Sequence, residues 1–132
     1  METKNYRFVR LSCIDDPDII FNEYSKDLNV DLEVAKEIVA NRMDFAGASK
    51  HYMIMEMSNI KRVSYEAKTY MQAKDGGLKN ILGAAFIASN PVSILVSNVF
   101  IKTPKKFPSK LFQKKEDALK WIKQLKLKNN SL

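Results

Sequence analysis

The sequence contains few of the residues on which small enzymes and secreted domains depend. It has one cysteine, Cys13, so an intrachain disulfide cannot form, which fits a reducing compartment. It has one histidine, His51, so no cluster of histidine ligands for a metal ion can form. Gly76 and Gly77 do not begin a phosphate-binding loop, because no Lys-Ser or Lys-Thr pair follows them. We therefore expect neither an enzyme nor a cofactor or metal site, and we interpret Cys13 and His51 as structural residues.

Long apolar runs are also missing. The longest one, residues 81–101, is interrupted by Ser89, Asn90 and Pro91, whereas a membrane-spanning helix needs about 20 mostly apolar residues in succession. The first residues lack the apolar core of a signal peptide, so we expect a cytoplasmic protein without a transmembrane segment. The 132 residues, 45% of them hydrophobic and 28% charged, are typical of one globular domain over residues 1–132.

Arginine is absent from the most basic part of the chain. Residues 102–132 contain ten lysines and two carboxylates, a net charge of +8, whereas residues 1–101 have a net charge of −1. Proteins that read nucleic acids usually add arginines for bidentate contacts and exposed aromatic rings for stacking. The aromatic residues of this segment, Phe107, Phe112 and Trp121, are better explained as core anchors. We therefore expect no specific nucleic-acid partner, and we interpret the lysines of the last predicted helix as a solvated face.

The residue pattern predicts strands that alternate with helices. Residues 6–14 and 19–21 predict a hairpin. In residues 31–45, Ile38 and Arg42 belong to a set that recurs at steps of three and four, which indicates a helix with one apolar face. The other predicted elements are strands over residues 51–57, 81–88 and 109–112 and helices over residues 65–74, 91–102 and 115–125. The order β-β-α-β-α-β-α-β-α predicts an α/β fold, a mixed sheet of four to five strands with an N-terminal antiparallel hairpin and about four helices.

Four short stretches of the chain carry a family resemblance. They are residues 31–38, 63–68, 89–92 and 111–122. In this order and at this spacing they resemble the STAS (SpoIIAA-like, anti-sigma-factor-antagonist-like) fold, and in particular the small uncharacterised bacterial proteins of that fold. The resemblance implies a single STAS-like domain that acts by binding a partner protein.

In the anti-sigma-antagonist branch of this fold, a partner kinase phosphorylates a serine at the start of a helix, within an Asp-Ser-Ser-Gly-like motif. Ser64 takes that place in this sequence. The acidic residue and the glycine of the motif are absent. The resemblance therefore supports phosphorylation of Ser64 by its position at a helix start, but not by the surrounding motif.

Two predicted helices, which start at Ser64 and Asn90, follow strands that we expect to be parallel neighbours. Ligands of open α/β sheets bind beyond the carboxyl ends of the strands, and the free N–H groups of helix N-termini suit a phosphate or a carboxylate. An anion or phosphorylation site at this edge is one interpretation. Ordinary helix capping is the other, since it accounts for the same residue types. The candidate residues are Ser58, Asn59, Ser64, Ser89 and Asn90.

The predicted helix over residues 91–102 has apolar residues on two sides. The broader face, which we expect to pack on the sheet, consists of Val92, Leu95, Val96, Val99 and Phe100. The opposite side, where a solvated helix would carry charges, consists of Ile94, Ser97, Asn98 and Ile101. We interpret this opposite side as a surface for self-association or partner binding. Two scattered exposed isoleucines, or cover by the C-terminal segment, are the alternatives.

These features together predict a non-enzymatic protein-interaction or regulatory module of unknown pathway, with an unidentified protein partner and a homodimeric state. The alternative is a protein that binds a small apolar ligand or an anion in a pocket at the helix N-termini. Met53, Met55 and Met57 lie on one face of a predicted strand, where they fill either the core or a groove. A pocket of roughly several hundred Å³ lined by methionine and aromatic side chains would favour the ligand binder.

Overall fold

The computed structural model describes residues 2–131, which form eight strands and four helices. The strands are Thr3–Asn5 (β1), Val9–Cys13 (β2), Ile19–Tyr24 (β3), Leu28–Val30 (β4), His51–Glu56 (β5), Ile60–Val63 (β6), Ile81–Ile87 (β7) and Ser109–Phe112 (β8). The helices are Leu32–Ala46 (α1), Tyr65–Met71 (α2), Pro91–Ile101 (α3) and Lys115–Asn130 (α4).

Six strands form the main sheet, in the order β1-β2-β3-β5-β7-β8. β1, β2 and β3 pair antiparallel, which is the predicted N-terminal hairpin extended by one strand. β3, β5, β7 and β8 pair parallel, and the chain passes through a helix before each of the last three. β4 and β6 form a separate parallel pair. The predicted α/β class with a mixed sheet is confirmed, but the main sheet has six strands instead of four to five because β1 was not predicted. The separate pair of β4 and β6 was not predicted either.

Both faces of the main sheet are buried. One face packs against α1, α2, α3 and the small sheet, and it includes Met53 and Met55 of β5 and Phe86 of β7. The other face packs against α4 and includes Ile54 of β5 and Ile87 of β7. Parallel strands in the middle of a sheet are covered on both sides. This explains why nearly every residue of β5 and β7 is apolar, without the alternation of a half-exposed strand.

Short polar signals define the ends of α1. The Asp31 side chain accepts a hydrogen bond from the backbone N–H of Val34 at 2.9 Å, as a helix N-cap does. Gly47 follows the last turn with φ 65°, in the left-handed region that favours glycine. Both ends agree with the prediction from sequence. α2 stops at Met71, short of residue 74, and α4 continues to Asn130, beyond the predicted end at residue 125.

The side of α3 that faces the sheet is only partly the one predicted. Ser93 and Ser97 point inward and are fully buried, and Phe100 lies parallel to Phe86 of β7 with 6.4 Å between the ring centroids. Small side chains let a helix backbone approach its neighbours closely, because they keep little volume between the two layers. α3 contains no charged residue, so apolarity did not distinguish its faces in the sequence.

As a consequence, two residues assigned to the outer side of α3 belong to the inner side. Ile94 and Ile101 are half-buried and pack against the core. The exposed apolar side chains are Val92 and Leu95, with exposed fractions of 46% and 69%. The predicted docking face and the predicted free face are therefore partly exchanged.

α4 closes the second face of the sheet. Its residues Ala118 and Ile122 are fully buried against β5 and β7. At Gly83 of β7 a side chain would clash with Leu125, so glycine permits the close approach of helix and strand. Lys126 ties the helix to the turn between β2 and β3, where its Nζ lies 2.5 Å from Asp16 and 3.3 Å from Asp18.

Candidate functional site

Three of the five predicted anion-site residues come together at the carboxyl end of the parallel strands. The Ser58 hydroxyl lies 3.5 Å from that of Ser89, and the Asn90 Nδ2 donates a hydrogen bond to the Ser58 carbonyl at 3.2 Å. Ser58 follows β5, and Ser89 and Asn90 follow β7, which is its neighbour in the sheet. The adjacency expected from sequence is therefore present for this trio.

Asn59 and Ser64 serve the local backbone instead. The Asn59 Nδ2 donates to the carbonyl of Tyr24 at 3.0 Å, which ties the turn after β5 to the end of β3. The Ser64 hydroxyl accepts from the N–H of Ala67 at 3.1 Å as the N-cap of α2. Neither side chain hydrogen-bonds to the trio in the part of the chain that the structure describes.

Asn90 caps α3 through a reciprocal pair of bonds. Its Oδ1 accepts from the N–H of Ser93 at 2.9 Å, and the Ser93 hydroxyl lies 3.3 Å from the N–H of Asn90. Such a capping box satisfies two backbone donors that a helix start leaves free. Helix capping is therefore observed at both starts, and the anion or phosphorylation site stays a prediction.

The residues of the predicted interface are divided between two environments. Ile94 and Ile101 pack against the core, Ser97 is fully buried, and Asn98 is half-buried. The exposed part of the helix is instead the stripe formed by Val92 and Leu95, which we call the α3 stripe. The α3 stripe is the exposed apolar surface of a helix without charged residues.

A narrow apolar cavity of about 70 Å³ lies between the main sheet and the helical layer. Along one side run Met53 and Met55 of β5 and Met57, the residue after β5, a length of about 13 Å at the usual rise of a strand. The opposite wall comes from α1, α2 and the small sheet, and Phe86, Phe100 and Phe107 complete it. The cavity is far smaller than the pocket of roughly several hundred Å³ that would favour a ligand binder, and none of the five predicted anion-site residues is among those that line it.

Arg42 of α1 is the charged group in the wall of this cavity that is most deeply buried, with 1% of its surface exposed. Its Nη2 donates to the carbonyls of Gly77 and Lys79, at 3.0 and 3.1 Å. Its Nε–H is buried without a partner among residues 2–131, and no carboxylate of these residues forms an ion pair with it. Burial lowers the pKa of Arg42 to about 10, so the guanidinium is still protonated at neutral pH.

The sequence contained a signal for Arg42 that was not used. The residue lies on the apolar face of the predicted helix over residues 31–45, four residues after Ile38. An arginine at such a position is buried with its charge, and buried charges are normally paired. The position therefore indicated a buried cation, although not its surroundings.

His51, like Asn41 and Ser97, is a further buried side chain that has a polar atom without a partner among residues 2–131. It is 1% exposed at the start of β5, and its Nδ1 lies 3.0 Å from the carbonyl of Ser49. Because a carbonyl only accepts, Nδ1 carries the proton and Nε2 is an acceptor, which has no partner among the described residues. Burial lowers the pKa of His51 to about 4, and the positive charge of Arg42 acts in the same direction.

An open groove of about 540 Å³ borders the cavity at the amino end of the strands. It shares Leu78, Ile81, Lys105 and Phe107 with the cavity. Five lysines line it, and no aspartate or glutamate is among its lining residues. The lysines of this groove, which we call the lysine groove, are Lys50, Lys74, Lys79, Lys105 and Lys106. Sequence reasoning treated the basic segment as one solvated surface and did not place two of its lysines beside three from earlier in the chain.

Lys105 also has a structural part in this region. Its Nζ donates to the carbonyls of Phe100, Ile101 and Thr103 at 2.7 to 3.2 Å, which satisfies the end of α3. Burial lowers the pKa of this lysine. The remaining lysines of the groove are exposed.

Residues 2–131 contain neither a membrane-spanning helix nor a cluster of metal ligands. No helix there has the length and apolar character needed to cross a bilayer. No three side chains of the histidine, cysteine, aspartate and glutamate types are grouped so that they could hold a metal ion.

Comparison with known proteins identifies the fold and a family, without an activity. A family model described as "Domain of unknown function (DUF7793)" matches residues 13–126. The crystal structure of an uncharacterised protein of the DUF3478 family from Shewanella loihica PV-4, described as having a SpoIIAA-like fold, is similar with a TM-score of 0.62 and 16% sequence identity. The similarity covers 92% of this chain and 98% of the other. Curated proteins gave no match. The SpoIIAA-like fold predicted from the sequence is confirmed.

Proposed function

The chain belongs to the DUF7793 family of domains of unknown function, and we propose that it is a non-enzymatic protein-interaction module that self-associates through the α3 stripe. The observation that carries the proposal is the exposure of Leu95, 69% of whose side chain area is open on a helix without a charged residue. Burying such a leucine against a partner contributes about 2 kcal/mol. Such a module would act as a cytoplasmic homodimer with a regulatory role.

The position of the stripe supports a two-fold contact. Most oligomers of one chain have a two-fold axis, so that the same patch meets its own copy. Residues 91–101 carry no charge, so two copies of α3 approach each other without repulsion between like charges on the helices. Tyr65, 74% exposed, begins α2 at the same end of the sheet at which α3 begins. Its ring is a further exposed apolar group at this end of the molecule.

The mass in solution tests this proposal. We expect light scattering of the unmodified protein to give twice the 15.1 kDa of one chain, and the variant Leu95→Glu to return to 15.1 kDa, because a charge would be buried in the contact. Leu127→Glu is the matched control. Leu127 is 70% exposed, on α4, so the same change leaves the mass at the dimer value.

Variants at Ile94 are unsuitable for this test, since Ile94 packs against the core and a glutamate there should lower the free energy of unfolding whether or not the residue is part of an interface. A monomeric unmodified protein over a full concentration series contradicts self-association. A dimer that survives Leu95→Glu contradicts the stripe as its contact surface.

A further inference from the structure

The lysine groove concentrates positive charge that the fold leaves without counter-ions. Its lysines come from the three loops that lead into β5, β7 and β8, which are parallel neighbours, so that these loops meet at the amino end of the sheet. The first loop contributes Lys50, the second Lys74 and Lys79, and the third Lys105 and Lys106. Within residues 2–131 no carboxylate lines the groove or forms an ion pair with one of these five lysines. Such a concave surface attracts anions.

Lys105 fixes one of these charges between the groove and the cavity, both of which it lines. Its Nζ donates to three backbone carbonyls at the end of α3, which occupies its three donors and leaves the charge without a carboxylate in the described part of the chain. The other four lysines are exposed. Their flexible stems can bring the ammonium groups to several anionic groups of one ligand.

The base of the groove is apolar. Leu78, Ile81 and Phe107 are half-buried and line the internal cavity as well, so they form the part of the groove nearest the core. A ligand with charges alone would lose water beside these side chains without gaining a partner there. A ligand that carries apolar and anionic groups in alternation contacts the base and the lysines together.

An extended acidic peptide has this alternation, because successive side chains of a strand point to opposite sides. The volume of about 540 Å³ is in the range of sites for small ligands, so a short segment fits and a folded domain does not. Nucleic acids are usually held by arginines and exposed aromatic rings. Among the described residues that line the groove there is no arginine, and the one aromatic residue, Phe107, is half-buried.

We propose that the lysine groove binds an extended acidic segment of a partner protein, with apolar side chains of the segment on Leu78, Ile81 and Phe107 and its carboxylates at the surrounding lysines. The inference rests on the proposed role as a protein-interaction module and names the chemistry of a partner at a second surface. It does not depend on the α3 stripe. Light scattering measures self-association without any peptide, so either proposal can fail alone.

Three fluorescently labelled octapeptides test the charge and the apolar contact separately. A peptide of four Glu-Leu repeats should bind with a saturable rise in anisotropy at low salt, and added salt should weaken the binding. A peptide of four Glu-Ser repeats has the same charge and should bind about tenfold more weakly, because it lacks the apolar contacts. A peptide of four Lys-Leu repeats keeps the leucines and should show no saturable binding, since its charges are repelled.

Two double variants of equal net charge locate the binding. Lys79→Gln with Lys106→Gln removes lysines from two loops of the groove, whereas Lys36→Gln with Lys120→Gln removes lysines of α1 and α4 that do not line it. All four lysines are exposed, so both proteins should fold. We expect the groove variant to bind the Glu-Leu peptide about tenfold more weakly than the unmodified protein, and the control variant to differ from it by less than about twofold.

Four results would overturn the proposal. Equal losses in the two double variants would show attraction by net charge without a site. Equal affinities for the Glu-Leu and Glu-Ser peptides would show that the apolar base takes no part. Displacement of the labelled peptide by sodium tripolyphosphate at concentrations as low as those of the unlabelled peptide would assign the groove to a phosphate ligand. No saturable binding of the Glu-Leu peptide at low salt would leave the lysines as a solvated surface.

Discussion

The two ends of the main sheet differ in how their polar groups are satisfied. At the carboxyl end, the Asn90 and Ser64 side chains cap helices and the Asn59 amide bonds to a backbone carbonyl. At the amino end, within residues 2–131, Arg42 and His51 each have a buried nitrogen without a partner. Ligands of open α/β sheets usually bind beyond the carboxyl ends of the strands. In this molecule that is the end at which the Asn59, Ser64 and Asn90 side chains already have hydrogen-bond partners. Arg42 and His51 lie at the other end, and two further buried groups without a partner among residues 2–131, the Asn41 amide nitrogen and the Ser97 hydroxyl, lie on α1 and α3.

The difference separates two reasons for finding polar residues near a sheet edge. Asparagine and serine at the carboxyl end stabilise the start of a helix, and their type and position are explained by that alone. The groups of the amino end are explained less completely by the fold, because a buried donor or acceptor without a partner costs free energy. We therefore take unsatisfied groups, rather than the position in the sheet, as the better indication of a binding site in this molecule.

The largest expected effect at the amino end is a dependence of the free energy of unfolding on pH, caused by His51. Burial and the charge of Arg42 lower its pKa to about 4 in the folded protein, against about 6.5 in the unfolded chain. Between these values the unfolded chain binds more protons, so the free energy of unfolding falls as the pH is lowered from 6.5 to 4. The loss reaches about 3 kcal/mol at most, and urea unfolding at several pH values measures it.

The control for this measurement is His51→Asn, which keeps a donor near the position of Nδ1 and cannot take up a proton in this range. We expect the slope between pH 6.5 and about 4.5 to disappear in the variant. The aspartates with lowered pKa, Asp16 and Asp44, lose their contribution at lower pH and do not disturb this window. The same slope in both proteins would show that His51 is not buried in its neutral form.

Particular residues show how far the sequence predicted the molecule. Asp31 and Gly47 marked the ends of α1 correctly, because capping is a local interaction that depends on neighbouring residues. The alternation of helices with doubly apolar strands predicted the fold class and the burial of both sheet faces. β1 and β4, of three residues each, and β6, of four, were missed, since such short segments have too little periodicity.

The errors concern contacts between elements distant in sequence. Which side of α3 packs inward depends on how closely Ser93 and Ser97 allow the helix to approach its neighbours, and no pattern within the helix encodes this. The surroundings of Arg42 depend on Gly77 and Lys79, more than 30 residues later. The cavity therefore became visible only when these segments were placed together, although the methionines that line it were identified from the sequence.

The second largest expected effect is the loss of stability when the cap of α3 is removed at the carboxyl end of the sheet. Asn90→Ala removes the cap of α3 and the bond from Nδ2 to the Ser58 carbonyl, and we expect it to lower the free energy of unfolding by about 1 to 2 kcal/mol. The matched control is Ser89→Ala. Ser89 is exposed and its hydroxyl lies 3.5 Å from that of Ser58, so its loss should cost less than about 0.5 kcal/mol. Similar losses in both variants would mean that capping does not explain the carboxyl end.

The smallest effect, and the one most specific to the amino end, is the repulsion among the lysines of the groove. Lys106 is exposed and its neighbours in the groove include four further lysines. Lys106→Gln should therefore raise the free energy of unfolding by about 0.3 kcal/mol at low salt, and the gain should vanish when salt screens the charges.

Lys123 is the matched control, because it is equally a lysine of the basic segment but its Nζ lies 2.6 Å from Asp15. Lys123→Gln should lower the free energy of unfolding by about 0.3 kcal/mol at low salt, the opposite sign. If both variants shifted stability in the same direction, the lysine groove would carry no excess of positive potential over the rest of the surface.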